Sequence, residues 1–241
     1  MRLKISLTAL DESPSVDLNY NHHLASLIYR SIERADKKLS LDLHSPYGPK
    51  LLTFSRLFIP EKRFSIESSR MILEDPSVHF FFSSPLSEIC GALVNGLLMR
   101  PEVRIGDASF AVSSIEVLRE KEIGDREKFI TMSPIHVSTV EDDGIRRRKV
   151  DLYPHDPRFY EILRKNLIRK YLRLYGRAPE NDELEIRVLE AKTKKIRVKN
   201  TDNRCVEMVF EAEGNPELLE VGYKAGFGSK NSMGFGMVKV L

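Results

Sequence analysis

A histidine and a lysine lie six positions apart, at the two ends of a short segment that contains two prolines and a glycine. The segment reads His44-Ser45-Pro46-Tyr47-Gly48-Pro49-Lys50, a composition that predicts a tight loop. Imidazole titrates near neutral pH and can donate or accept a proton, whereas the lysine ammonium supplies positive charge. The pair therefore suits acid–base chemistry at an anionic group, although a loop histidine without a catalytic role is the simpler alternative.

A tyrosine upstream completes a candidate catalytic set. Residues 19–35 have the pattern of an amphipathic helix, whose apolar stripe consists of Leu24, Leu27, Ile28, Ile32 and Ala35. At ~100° per residue, Tyr29 lies roughly 125° from the centre of that stripe, so we expect it to face solvent or a cleft. Tyrosine, histidine and lysine together suit metal-independent RNA cleavage, in which the 2′-hydroxyl is the nucleophile and needs a base, an acid and positive charge. Tyrosine is a poor base at its ordinary pKa, so its expected role is to orient that hydroxyl.

The other histidines and the cysteines offer no metal site. They show neither zinc-ligand spacing nor a nucleophile motif, and they are His22, His23, His79, His136, His155, Cys90 and Cys205. We expect the two cysteines to be small buried hydrophobic residues. The sequence therefore predicts neither a metal nor a cofactor.

A glycine-rich segment near the C-terminus is the second feature with chemical potential. Two Gly-Phe-Gly triplets flank Ser229-Lys230-Asn231-Ser232-Met233, and their glycines are Gly226, Gly228, Gly234 and Gly236. Glycine permits positive φ and close backbone approach, so the spacing predicts a shaped loop. Unblocked backbone N–H groups together with Lys230 and Asn231 would form a phosphate-binding surface. The alternative is a structural hairpin or helix exit. The order of helix, glycines and strand excludes a dinucleotide fingerprint, and the spacing excludes a P-loop.

One predicted strand is strongly basic. It contains five cations with no acid among them, and these are Lys192, Lys194, Lys195, Arg197 and Lys199. Lys192 and Lys194 share one face and the other three share the opposite face. Such a density is costly without a nearby anion, so we expect RNA contact there. The run from Arg146 to Lys149 is typical of a solvated hairpin edge. The basic residues of the helix over 157–175, which include Lys170, are typical of its wet face.

The predicted elements fall into two similar halves. The first half consists of a strand over 2–10, the helix over 19–35, strands over 51–58, 63–73 and 78–82, a helix over 85–99 and one or two strands over 103–118. The second half consists of strands over 129–140 and 146–152, a helix over 157–175, strands over 184–198 and 204–212, a helix over 216–225 and a last strand over 237–241. Each half has the βαββαβ order of a ferredoxin-like fold, so we expect an α+β protein of two tandem domains, 1–122 and 123–241, joined by the charged stretch 120–127.

The composition limits the class of protein. The chain has 241 residues, 41% of them hydrophobic, and a net charge of only +3, so a nucleic-acid partner would have to bind a local basic patch. The sequence has no run of ~18 apolar residues, and the N-terminus alternates like a strand rather than a signal peptide. We therefore expect a cytoplasmic protein that is not bound to a membrane.

These blocks together resemble the CRISPR repeat-processing endoribonucleases, a family of the repeat-associated RNA-binding proteins of CRISPR systems. The likeness includes the glycine-rich loop and extends along nearly the whole chain, through residues 27–29, 43–44, 48–51, 92–98 and 221–240. The family's catalytic tyrosine, histidine and lysine fall on Tyr29, His44 and Lys50.

The resemblance implies cleavage within each CRISPR repeat, giving guide RNAs with a 5′-hydroxyl and a 2′,3′-cyclic phosphate on the upstream fragment, without metal. CRISPR repeat RNA is the implied partner, CRISPR effector subunits are possible further ones, and both monomer and homodimer stay open. The main alternative is a non-cleaving RNA-binding subunit of an effector complex. A plain RNA-binding module would need exposed aromatic residues in an RNP pattern, and the sequence has no such motif.

Overall fold

The computed structural model of the chain describes residues 1–45, 47–142, 144 and 146–241. Those residues form a mixed α+β structure. The elements up to residue 120 are β1 (Arg2–Ala9), β2 (Ser15–Asp17), α1 (Asn21–Ala35), α2 (Lys37–His44), β3 (Thr53–Phe54), β4 (Phe64–Glu67), β5 (Arg70–Leu73), β6 (Ser77–Ser83), α3 (Ser87–Met99), β7 (Glu102–Ile105) and β8 (Ala108–Leu118). The later elements are β9 (Arg126–Thr131), β10 (Ser138–Asp142), β11 (Arg147–Asp151), α4 (Arg158–Tyr175), β12 (Leu184–Val198), β13 (Thr201–Gly214), α5 (Pro216–Ala225) and β14 (Val238–Val240).

The chain divides into two compact units. Unit 1 comprises residues 1–47 and 55–120, and unit 2 comprises residues 48–54 and 121–241. The segment from Gly48 to Phe54, with Lys50 and strand β3, therefore belongs to unit 2 although the residues on both sides of it belong to unit 1. The division into domains 1–122 and 123–241 stays a prediction.

Unit 1 is built on an antiparallel sheet in the order β6-β1-β8-β7. Strand β1 alternates as expected, since Leu3, Ile5 and Leu7 are completely buried. Helices α1 and α3 add Leu24, Ile28 and Leu93 to the same core. The predicted strand over 63–73 is a hairpin of β4 and β5, because two serines at its centre adopt positive φ and turn the chain.

Helices α1 and α3 approach closely at a glycine. A Cβ atom built on Gly96 would lie only 1.8 Å from the carbonyl oxygen of Ser31. The guanidinium of Arg34 donates a hydrogen bond to the carbonyl oxygen of Gly96 at 2.8 Å. The missing side chain of Gly96 therefore sets the distance between α3 and the helix that carries Tyr29.

Unit 2 has a four-stranded antiparallel sheet in the order β12-β13-β9-β14. Its core includes Phe129 and Phe210 from the sheet, Leu163 and Leu167 from α4, and Leu219 from α5. The predicted strand over 129–140 is two strands, β9 and the start of the β10–β11 hairpin. Pro134 lies between them, and proline has no N–H to donate to a sheet ladder.

Candidate active site and nucleic-acid interface

Tyr29 and His44, the first two predicted catalytic residues, lie together in unit 1. Their ring centroids are 4.8 Å apart with an interplanar angle of 37°. Tyr29 projects from α1 and is half-buried, as its position off the apolar stripe predicted, and His44 is exposed. An exposed imidazole beside a phenol can exchange protons with a bound substrate while the phenol orients it.

The placement of His44 differs from the expected loop position. It is the last residue of α2, a helix that begins at a cap in which the Asp36 carboxylate accepts the Leu39 N–H at 2.9 Å. The predicted loop begins only after His44, and Pro46, the first of its two prolines, lies outside the described residues.

Lys50, the third predicted catalytic residue, is described with unit 2. It is half-buried, and burial, followed by repulsion from Arg173, lowers its pKa. It lines a cavity of about 210 Å³ together with two more lysines, Lys170 and Lys230. The other lining residues are Gly48, Pro49, Asn166, Gly228, Ser229, Asn231 and Ser232. A cavity with three lysines and no carboxylate in its lining is suited to an anion such as phosphate.

The glycine-rich loop of residues 226–236 is shaped but tightly packed. Phe227 and Phe235 are completely buried, and a Cβ built on Gly236, whose φ is +77°, would lie 1.9 Å from the Phe227 carbonyl oxygen. Gly226, Gly228 and Gly234 also have positive φ and are buried.

The loop's backbone N–H groups are largely used inside the protein, contrary to the expected unblocked phosphate cradle. The N–H of Phe227 donates to Gly236, that of Ser229 to His136 and that of Gly236 to Pro134, at 2.8 to 2.9 Å. The Asn231 amide donates to the carbonyls of Phe227 and Phe235 at 3.0 Å each, so this side chain also holds the loop. The glycines therefore serve close packing, and RNA contact by the loop stays a prediction.

Lys170 was expected on the wet face of its helix, and this expectation is wrong. Its side chain is only 2% exposed, and its ammonium donates to the carbonyl oxygens of Gly226 and Gly228, the latter at 2.9 Å. Burial lowers its pKa to about 7. The sequence contained a usable signal, because Lys170 follows Leu163 by seven positions and Leu167 by three and so lies on the apolar stripe.

Lys230 reaches toward the hairpin between β12 and β13. Its ammonium donates to the side-chain oxygen of Asn203, and burial, followed by repulsion from Lys149, lowers its pKa. Loss of hydration and a neighbouring cation both disfavour its charged form, and a bound anion would relieve both effects.

A buried histidine also anchors the loop, and the sequence gave no reason to single it out. The Nδ1 atom of His136 lies 2.7 Å from the Ser229 hydroxyl oxygen, and its Nε2 atom lies 3.1 Å from Oδ1 of Asp151. A carboxylate only accepts, so Nε2 carries the hydrogen and Nδ1 accepts from the serine hydroxyl. Burial, followed by repulsion from Lys149, lowers the pKa of His136 to about 4, so the ring is neutral at pH 7. His136 therefore holds Ser229, which lines the lysine cavity.

The basic strand occupies β12, but its charges are partly compensated. Acidic residues on the neighbouring strand β13 supply the anions: Lys194 lies 3.5 Å from Glu207, while Lys195 and Arg197 lie 3.9 and 2.7 Å from Asp202. The expectation that this strand needs an external anion is therefore too strong. Lys192 and Lys199 are exposed, and the RNA-binding role of the five residues stays a prediction.

Two further structural findings concern metals and membranes. Within the described ranges, histidine, cysteine, aspartate and glutamate side chains form no group of three or more suited to holding a metal ion. Among the helices that the structure describes, none combines the length and apolarity that a membrane-spanning helix requires.

Comparisons with known proteins identify the family of the chain. The family described as "CRISPR associated protein Cas6, C-terminal" matches residues 118–240, and "CRISPR-associated protein Cas6, N-terminal" matches residues 15–116. The chain is 42% identical to the CRISPR-associated endoribonuclease Cas6 of Pyrococcus furiosus, over 100% of this chain and 90% of that protein. It is 35% identical to the CRISPR-associated endoribonuclease Cas6 1 of Methanocaldococcus jannaschii, over 99% of this chain and 92% of that protein.

Solved structures give the same assignment. A Cas6-related protein of Pyrococcus furiosus superposes with a TM-score of 0.92 at 35% identity, covering 100% of this chain and 98% of that one. A structure described as a RAMP protein binding different RNA substrates superposes with a TM-score of 0.91 at 34% identity, covering 100% and 99%. The chain belongs to the Cas6 family of CRISPR-associated proteins.

Proposed function

We propose that this protein is an endoribonuclease that cleaves CRISPR repeat transcripts within each repeat to release guide RNAs. We also propose that each of its two domains, 1–122 and 123–241, has a ferredoxin-like βαββαβ fold. Two relatives that this chain matches over nearly their whole length are named CRISPR-associated endoribonucleases, which supports the activity. The contact between Tyr29 and His44 is the single observation that carries the proposal, because it joins two residues suited to acid–base chemistry on RNA.

The proposed reaction is an internal transesterification. The 2′-hydroxyl of the nucleotide upstream of the cut attacks the adjacent phosphorus and releases its proton to solvent water. The bond to the 5′-oxygen of the next nucleotide breaks as that oxygen takes up a proton from His44. The upstream product ends in a 2′,3′-cyclic phosphate, and the downstream product begins with a 5′-hydroxyl. The RNA supplies the nucleophile, so the mechanism requires no metal-activated water.

Each catalytic residue has a distinct proposed role. His44 is the general acid that donates a proton to the leaving 5′-oxygen. Tyr29 orients the 2′-hydroxyl. Lys50 stabilises the negative charge that develops on the phosphorane.

Binding of the RNA is proposed for unit 2. Lys192 is exposed on β12 and Lys199 is exposed in the turn that follows it. Lys194, Lys195 and Arg197 can exchange their carboxylate partners for phosphates. Lys230 and Gly228 border the lysine cavity, where a phosphate would lie near the amino groups of Lys50, Lys170 and Lys230. Lys230→Ala should weaken RNA binding and flatten the salt dependence by about 0.7 of a logarithmic unit per unit of log salt.

The decisive experiment uses the repeat RNA of the protein's own host. Labelled repeat RNA is incubated in excess protein, once in EDTA and once in Mg²⁺, and the product ends are mapped. We expect equal rates and a cyclic phosphate in both. A single 2′-deoxy substitution just upstream of the cut should abolish cleavage without reducing affinity. Cleavage of the deoxy substrate, or activity only with a divalent ion, would contradict the proposed chemistry.

A non-cleaving RNA-binding subunit of a CRISPR effector complex is the second candidate. One relative from Pyrococcus furiosus at 36% identity and one from Pyrococcus horikoshii at 35% identity are named putative endoribonuclease-like proteins. Tight binding of repeat RNA with no cleavage under any of these conditions would favour this candidate. Purification of the tagged protein would then test whether effector subunits copurify with it. Size-exclusion chromatography of the same protein would distinguish a monomer from a homodimer.

A further inference from the structure

Unit 1 contains a second basic cavity that does not include Tyr29 or His44. Its volume is about 610 Å³, and it lies along α1 and β7. Four arginines and two histidines line it, together with Ser26, Leu27, Ser31, Glu102, Val103, Gly106 and Asp107. The arginines are Arg30, Arg34, Arg100 and Arg104, and the histidines are His22 and His23.

Two of the four arginines are held by the protein and two are available. Arg34 donates to the Gly96 carbonyl at 2.8 Å, and Arg104 donates to the Asp107 carbonyl at 3.1 Å. Arg30 and Arg100 are exposed and form no ion pair with any residue in the described part of the chain. Their guanidinium groups therefore keep their full capacity to bind a phosphate through paired N–H groups.

Helix geometry separates this cavity from the Tyr29 site. At ~100° per residue, Arg30 and Arg34 lie roughly 100° and 140° around α1 from Tyr29. They are also one helical turn apart, roughly 6 Å along the axis. Helix α1 thus presents the tyrosine on one face and a row of cations on another.

We propose that this cavity binds the phosphodiester backbone of single-stranded RNA at nucleotides away from the cut, an inference that rests on the proposed endoribonuclease function. Leu27 and Val103 are the apolar side chains in its lining, and both are buried. A docked protein segment needs apolar anchors at the centre of its interface, whereas nucleic-acid interfaces are polar and positively charged. The lining therefore fits a row of phosphates better than an acidic protein segment.

The test compares two double variants of the whole protein. Arg30→Ala with Arg100→Ala removes the available guanidinium pair, and Arg63→Ala with Arg119→Ala removes the same charge from exposed positions of unit 1 outside the cavity. Affinity for a long oligouridine is measured across a salt series. The cavity variant should bind roughly tenfold more weakly and lower the salt slope by about 1.4, since each single-strand phosphate contact contributes about 0.7. The control pair should stay close to the wild type.

A photoreactive oligouridine locates the contact directly. We expect crosslinks to peptides containing Arg30 or Arg100 in the wild type and their loss in the cavity variant. Equal affinity, equal salt slope and unchanged crosslinks in both double variants would overturn the proposal. Binding of polyglutamate is measured on the same variants. If the cavity variant loses polyglutamate binding but keeps RNA binding, the cavity binds an acidic protein segment instead.

Failure of the two proposals is distinguishable, because oligouridine binding does not depend on cleavage. A wild type that crosslinks through this cavity but never cleaves repeat RNA disproves the endoribonuclease alone. A wild type that cleaves repeat RNA while both double variants bind alike disproves the second RNA site alone.

Discussion

Gly96 on α3 and Gly91 on the same helix provide a matched pair for testing how α3 positions the helix of Tyr29. A Cβ on Gly96 would lie 1.8 Å from the Ser31 carbonyl oxygen, whereas a Cβ on Gly91 would have nothing within 4 Å. Ordinary contact begins at 3.4 Å, so Gly96→Ala forces the two helices apart by about 1.6 Å. Overpacking of this kind costs ~1–3 kcal/mol, and loss of the hydrogen bond from Arg34 to the Gly96 carbonyl adds about 1 kcal/mol.

The gain in helix propensity partly offsets this cost. Alanine favours a helix over glycine by about 1 kcal/mol at either position. Gly96→Ala should therefore be destabilised by ~1–3 kcal/mol, which lowers the melting temperature by about 2–12 °C, and Gly91→Ala should gain up to about 4 °C. Differential scanning calorimetry measures both. If the two variants melt at the same temperature, the close approach of α1 and α3 at Gly96 is refuted.

Three further predictions concern the candidate site. His44→Ala should lower the single-turnover cleavage rate by ~10²–10⁴ with RNA affinity within a few-fold, and an unchanged rate would remove His44 from the mechanism. Lys170 has a pKa of about 7 when folded and an ordinary value of 10.5, so the unfolded chain holds more protons between these pH values and stability should rise with pH across them. Lys170→Met should lose that rise in a series of melts from pH 7 to 10, and an unchanged slope would refute the buried amine. Gly236 and Gly176 both have positive φ, but only a Cβ on Gly236 would clash, at 1.9 Å from the Phe227 carbonyl oxygen. Gly236→Ala should therefore lower the melting temperature far more than Gly176→Ala. Equal losses would mean that the loop is not tightly packed.

Local sequence signals predicted much of the secondary structure. The predicted and observed bounds of β12 and α5 coincide at 184–198 and 216–225. A long alternating run defines the strand, and a proline start with a glycine exit defines the helix. Tyr29 was correctly expected off the apolar stripe because helical periodicity alone decides that position.

Other features depended on contacts that are distant in sequence. Lys170 belongs to the apolar stripe by spacing, but only the carbonyls of Gly226 and Gly228 explain why a lysine is accepted there. The compensation of β12 by acids of β13 depends on strand register, which no local pattern determines. His44 was predicted to lie in a loop because of the prolines beyond it, whereas in the structure it is the last residue of α2.

Because Gly48–Phe54 belongs to unit 2, cutting the chain at one peptide bond cannot divide it into the two units. The chain passes from one unit to the other after residues 47, 54 and 120. Within unit 2, the Thr53 hydroxyl donates to the buried carbonyl of Phe235 at 3.0 Å. A truncated chain that began at residue 121 would lose this partner and the lysine at position 50. Gene dissection, split-reporter fusions and domain exchange between relatives would therefore have to carry the short segment with the C-terminal portion.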